Sequence, residues 1–476
     1  MGRDEQWFYP RMHRERMGGF WVGAFSLVAA CGGNDKPNEG VAPDASAEVA
    51  AATWYGGVQA LLVRNCGSCH TADGIGPFAL DDYDSAKSVA AAVVDATETN
   101  RMPPWLAQDT EECAPPLPWQ DDLRLSDDDK KLLVDWLAAG SPLGDVTTAV
   151  EVPAPPNFEI QNPTVEVSFQ EPFAVAGNKD LFECFVLDPG LDEDVWITDV
   201  QMQAGNAKVD HHAIIFLDPI GASEEIAVNG HFPCFSTPDV AGSLIGAWAP
   251  GAVPFSIPET GGIPMPKESR VIVQMHYHPT QGSTEMDQST LSLKTTTVKP
   301  TYDAILALLG NFDELEDDGS GLQPGPGDRD GVPEFRIPAG VVDHTENQIY
   351  RQELPIAVPI FGVGAHMHYV GTEMKIDLKR AEGNGGDDCL LHTPSWDFDW
   401  QRTYNFDAPI ESLPVMKPGD ELHLNCTYNN SMSNPAVAAA VTEQGLNQPV
   451  DVYLGEETLD EMCLGIFGVL VPAGLL

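Results

Sequence analysis

The sequence predicts a multidomain chain in which a small all-α domain precedes two antiparallel β-sandwich (jelly-roll) domains. Three observations carry that expectation. The 476 residues exceed what one ordinary core organises. One well-marked helical stripe ends near residue 140. Beyond about residue 160, short alternating or β-branched runs are separated by Gly, Pro, Asn and Asp clusters.

The helix is read first. Ser126 stands at an N-cap position, with Asp127, Asp128 and Asp129 in the first turn. Leu132, Leu133, Trp136 and Leu137 form its apolar stripe, and Gly140 and Pro142 stop it. The all-α domain is placed at residues 51–145. A Pro-rich linker, TTAVEVPAPPNFEIQNP, follows. Runs such as DVWITDVQM, HHAIIFL, RVIVQMHYH, PIFGVGAHMH, ELHLNCTY and CLGIFGVLV then read as sandwich strands. About 310 residues of this pattern call for two β domains, placed at 146–300 and 301–476. Residues 311–331, acidic and rich in Gly and Pro, read as an exposed inserted loop.

Hydrophobic residues at 43% exclude general disorder. The chain sets 25 Lys+Arg against 72 Asp+Glu, a net charge of −47, and such a surface repels nucleic acid and anionic headgroups, so no nucleic-acid partner is expected. Arg11, Arg14 and Arg16 precede a short apolar run from Gly18 to Ala30, too short to span a bilayer and suited to a signal peptide over residues 1–30. Met12 or Met17 is an alternative start. The run ends Leu27-Val28-Ala29-Ala30-Cys31, which resembles a bacterial lipoprotein signal with Cys31 lipidated. Residues 31–50 would be a tether, and a lipid anchor the only membrane contact. The expected location is the bacterial periplasm, the outer membrane or the cell surface. Setting aside Cys31 and the pair below, six of the nine cysteines remain, an even number that an oxidising compartment would pair.

Cys66-Gly67-Ser68-Cys69-His70 is a C-x-x-C-H motif. Thiols at this spacing can form thioethers to haem vinyls, with the adjacent His under the iron. A bare C-x-x-C also serves redox and zinc sites. Met102, in Arg101-Met102-Pro103-Pro104-Trp105, is the expected soft sixth ligand. This stretch resembles small c-type cytochromes, so the all-α domain is expected to carry haem c on Cys66 and Cys69, with His70 and Met102 axial.

The chain has only twelve histidines, yet His211-His212, His276-x-His278 and His366-x-His368 cluster on expected strands. Residues i and i+2 share a strand face, so His366 and His368 can share a metal. Adjacent His211 and His212 could do so only through a twist, a bulge or different ring nitrogens. Imidazole clusters suit copper, zinc, iron or nickel. Spacing alone does not separate His276 from His278.

The order of these motifs resembles the type II copper monooxygenases, the group of peptidylglycine α-hydroxylating monooxygenase and dopamine β-monooxygenase. The resembling segments are Val209-Asp210-His211-His212-Ala213-Ile214-Ile215-Phe216, Val273-Gln274-Met275-His276-Tyr277, Ala365-His366-Met367-His368 and Asp460-Glu461-Met462-Cys463. The resemblance implies two copper ions. His211, His212 and His276 would hold the electron-transfer copper; His366, His368 and Met462 would hold the oxygen-binding copper and act catalytically. It also implies disulfides Cys426–Cys463 and Cys184–Cys234, leaving open how Cys113 and Cys389 pair. Gly364, Leu464 and Ile466 stand where the peptide-acting enzyme holds a substrate carboxylate, so a peptidylglycine substrate is not expected.

The expected function is therefore hydroxylation of a C–H bond of a small apolar substrate by O2, with ascorbate or a redox protein as electron donor and the fused haem as a relay. The alternative is a non-catalytic copper and haem electron-transfer or copper-binding protein. A zinc hydrolase is a weaker third reading, since HExxH is absent.

Overall fold

The computed structural model describes residues 52–475 except 73, 75, 236, 237, 239, 250, 251, 281 and 456–459. The expected signal peptide, Cys31 and the tether lie outside the described residues.

The expected helix forms over Asp127–Ala138, and Ser126 and Asp129 close a reciprocal capping box at its start. Leu133 and Trp136 are its buried residues. They join Trp54, Val58, Leu61 and Leu62 in a small helical core. The other described α-helices are Gln59–Cys66, Tyr83–Ser88, Ala90–Glu98 and Pro435–Glu443.

Strands dominate the rest, and they correct the expected division into a separate all-α cytochrome-like domain and two separate sandwiches. From Ala50 to Leu476 the chain is one compact unit. Residues 102–125 contain no helix; they cross onto the β layers. Gln108 N–H donates to His392 O, and Gln120 N–H donates to Asn405 O. Trp105, Ala107 and Trp119 belong to the main β core. Cys113 is bonded to Cys389, on the strand Asp388–Thr393. The physical reason lies in this segment's composition. Its prolines forbid a helix, and its two tryptophans bury more apolar surface against sheets than the small helical core offers.

A ten-stranded sheet also runs across the expected boundary at residue 300. Gly261–Met265 pairs in parallel with Tyr302–Gly310, which pairs with Leu464–Pro472, which in turn pairs with Val358–His366. Two five-stranded sheets lie outside it. One centres on Arg270–Tyr277 between Leu181–Leu187 and Asp210–Asp218. The other centres on Glu421–Tyr428 between His344–Arg351 and Gly371–Lys379. Residues 311–331 are not simply an exposed loop. Gly321 and Leu322 pair with Ile349 and Gln348, and Leu322 is fully buried.

Three disulfides join Cys113–Cys389, Cys184–Cys234 and Cys426–Cys463, consistent with folding in an oxidising, exported setting. Among the described residues no helix is long and apolar enough to cross a membrane.

Candidate metal centres

His211 and His212 open the strand Asp210–Asp218, and His276 lies near the end of Arg270–Tyr277 beside it. Regular pairing would send the adjacent histidines to opposite faces. The ladder instead slips: His276 pairs with His212 and Tyr277 with Asp210, leaving His211 as the extra residue of a bulge. That one irregularity turns both rings toward His276. Nδ1 of His211 lies 3.0 Å from Nδ1 of His212, which lies 3.4 Å from Nδ1 of His276.

Carboxylates act on the far nitrogens. His211 Nε2 is 3.3 Å from Asp399 Oδ1. His276 Nε2 is 3.0 Å from Asp180 Oδ2, although off good donor alignment. A carboxylate draws the ring proton to the nitrogen it faces, which leaves the Nδ1 lone pairs directed at one another. Burial lowers the pKa of His212 well below the usual imidazole range, reinforced by His276, His211, His366 and His368. Burial also lowers His276, against the opposing pull of Asp180. Converging lone pairs repel unless a cation lies between them. Two ligands about 2.0 Å from one ion stand roughly 3 Å apart, which these separations match. The donor set therefore fits a copper or similar N-ligated ion. Phe182 stacks on His276 at 4.3 Å and fixes its plane.

His278 is exposed, and its Nδ1 lies 2.9 Å from Asp180 Oδ1. It shares Asp180 with His276, and the Nδ1 cluster is built from His276. Burial would raise the Asp180 carboxyl, but contacts from His276 and His278 outweigh this and hold it far below the usual carboxylate range.

The second group is set by another register. His366 pairs with Leu464 at the end of the antiparallel ladder, and Met462 lies two residues before Leu464 in the chain. The rings of His366 and His368 are 5.2 Å apart and nearly perpendicular. His366 Nδ1–H donates to Gln401 Oε1 at 2.6 Å, and His368 Nδ1–H donates to Asp460 O at 3.0 Å. Both tautomers therefore present Nε2 as the ligand nitrogen. Met462 is held through its backbone: its N–H donates to Glu461 Oε2, its carbonyl accepts from Tyr428 Oη, and the next residue is bonded to Cys426. Two imidazoles and a thioether suit Cu(I).

One short segment serves both groups. Phe398 lies 5.6 Å from His211, 6.0 Å from His212 and 5.9 Å from His368, ring centre to ring centre. Asp399 contacts His211, and Gln401 orients His366. Nothing in WDFDWQR at 396–402 marks this role, because residues that hydrogen-bond a ligand's far nitrogen follow no spacing rule. A cavity of about 300 Å³ opens between the groups, with His212, His366 and Met462 on its wall. The rest of its lining is largely apolar and includes Ile214, Phe216, Leu306, Leu464 and Ile466.

The C-x-x-C-H motif lies elsewhere. Cys66 ends the helix Gln59–Cys66, and Cys69 and His70 follow on a turn. Neither thiol is in a disulfide, and both are half-buried. Burial, then the neighbouring Cys69, pushes the Cys66 thiol up to about 12. His70 Nδ1–H donates to Phe78 O at 3.0 Å, which leaves Nε2 as the nitrogen that could serve as a metal ligand. Gly76 approaches so closely that an added Cβ would fall 2.6 Å from His70 Nδ1. This donor set fits covalent haem. Met102 is half-buried in a bend.

The remaining described histidines pair with acids: His231 with Glu183, His344 with Glu346, His392 with Glu373 and His423 with Glu421.

No protein-family profile matches the chain, and no curated protein matches it. Among solved structures, the major capsid protein P2 from bacteriophage PM2 overlaps 65% of this chain and 98% of its own, at 8% identity and a TM-score of 0.27. A structure of infectious bursal disease virus, Gx strain, overlaps 65% of this chain and 72% of its own, at 7% identity and a TM-score of 0.18. At such scores the overlaps assign neither fold nor function.

Proposed function

We propose that the chain is a copper-dependent monooxygenase that hydroxylates a C–H bond of a small molecule with an apolar body. One observation carries this reading: His212 of the first group and His366 and Met462 of the second face a single apolar cavity. A storage or relay protein has no need of a substrate-sized space between its metal ligands.

His211, His212 and His276 would hold one copper, and His366, His368 and Met462 the other. Bound there, the pair would supply two electrons and a site for activating dioxygen. The residues of the chain do the rest. Asp180 and Asp399 keep the ring protons away from the ligand nitrogens of His276 and His211. Gln401 and the carbonyl of Asp460 do the same for His366 and His368. The thioether of Met462 would favour a reduced copper held there. Ile214, Phe216, Leu464 and Ile466 desolvate the substrate and limit the water that would quench a reactive intermediate. Cys66, Cys69 and His70 would hold a haem c, with Met102 as the sixth ligand, and the haem would supply a one-electron store. Ascorbate or a redox protein is the outside donor.

The test is turnover of copper-loaded protein with a reductant and 18O-labelled dioxygen, with products read by mass spectrometry. One labelled oxygen per product, abolished in His366→Ala, is expected. Copper that cycles with a reductant but yields no oxygenated product from a broad substrate screen would leave an electron-transfer protein.

A further inference from the structure

The chain carries 72 acidic against 25 basic residues, so an arginine without an acid is an anomaly. Each of the eight other described arginines has a carboxylate oxygen within ion-pair distance. Arg402 has none. Among the described residues no hydrogen bond reaches its guanidinium, and its Nε is buried without a partner. The group lies on the cavity wall, its central carbon 4.5 Å over the ring of Trp105 and 5.6 Å over that of Tyr404. The indole N–H of Trp105, on the same wall, is also buried without a partner. Burial draws Arg402 below the ordinary guanidinium range against the opposing pull of Tyr404, Asp121 and Asp122, yet a guanidinium stays charged in a protein.

Two aromatic faces recover part of the cost of half-burying this cation. They supply no acceptor for its N–H donors. Asp121 also lines the cavity, but it is exposed and stands beyond ion-pair distance. A half-buried guanidinium whose Nε is shut off from water and unpartnered favours an anion that completes it, and the guanidinium fork matches a carboxylate.

We propose that Arg402 anchors the carboxylate of an amphipathic acid whose apolar chain fills the rest of the cavity. This names the substrate class for the site proposed above and rests on that reading only for the reaction, not for binding. Arg402 directly follows Gln401, which orients His366. A head group at the arginine and an oxidisable chain therefore share one space with the candidate copper ligands.

The experiment is calorimetric titration of the full chain as isolated with hexanoate and its neutral isostere hexanamide. Hexanoate should bind more tightly. Arg402→Gln should weaken hexanoate on the order of ten- to a hundredfold and leave hexanamide within about threefold. Arg402→Lys, which keeps the charge without the fork, should fall between, with near-ultraviolet circular dichroism confirming the fold of each variant. Asp121→Asn, which removes a competing anion, should tighten hexanoate. Absence of hexanoate binding, equal binding of acid and amide, an unchanged preference in Arg402→Gln, or weaker hexanoate binding in Asp121→Asn would each overturn the proposal. Binding needs no turnover, so a chain that selects the acid but yields no oxygenated product would fail the monooxygenase reading alone.

Discussion

Glu461 accepts the backbone N–H of His368 at 2.7 Å, so a fully buried carboxylate fixes a candidate ligand on a different segment. The same Oε2 accepts from Met462 at 2.9 Å, and Oε1 accepts from Val370 and Gly371 at 2.9 and 3.0 Å. Burial pushes this carboxyl up to about 7, against the pull of those four donors. Glu461→Gln turns an NH2 group toward two backbone donors. The expected loss is roughly 2–4 kcal/mol of stability, read by denaturant unfolding. Copper should fall at the His366 group and persist at the His211 group, read by metal analysis.

Asp180 acts on the other centre. Replacing it with Asn keeps the shape and removes the charge that draws the proton of His276 to Nε2. Removing a carboxylate that hydrogen-bonds a ligand histidine typically costs roughly 10–100-fold in metal affinity. Competition with a Cu(I) chelator should show that loss for one of two coppers. Equal weakening of both would mean that Asp180 acts through general stability.

Some of this was legible in the sequence and some was not, for physical reasons. Strand periodicity and the capped helix at 127–138 depend on neighbours in the chain, so local pattern suffices. The need for a bulge at His211-His212 was legible because adjacent side chains on a regular strand diverge. The fold class was misread. Residues 102–125 look like part of a helical unit by position, but their contacts, including Cys113–Cys389 across 276 residues, are long-range. Asp180, Asp399, Gln401, Glu461 and Arg402 were invisible as site residues for the same reason. Each acts through a partner far away in sequence or through its own backbone surroundings, and no spacing encodes that.

The C-x-x-C-H motif makes its own prediction. Expression with a c-type haem maturation system should give haem that survives acid-acetone extraction, and Cys66→Ser with Cys69→Ser should release it. His70→Ala should keep the covalent bonds and change the axial-ligand spectrum. If the reduced haem does not reoxidise when copper and dioxygen are supplied in stopped-flow, the two redox sites are not coupled.

Asp420 provides the pH test of stability. It is fully buried. It accepts from the N–H groups of Lys417 and Ala381, both at 2.9 Å, from Asn384 Nδ2 at 2.6 Å and from Arg380 at 3.0 Å. Burial alone would raise its pKa, but these donors outweigh it and hold the carboxyl below its ordinary value. A folded-state pKa below the unfolded value of about 3.9 favours the ionised form in the native state. Its contribution is complete above the unfolded value and is lost as pH falls toward the folded one. Asp420→Asn should therefore cost roughly 2–3 kcal/mol at neutral pH. The gap to the native chain should stay constant down to about pH 5 and narrow below about pH 4. Urea unfolding across that range measures it. A gap that instead widened with acid would show that the carboxyl is protonated in the native fold, and that its four donors do not hold a charge.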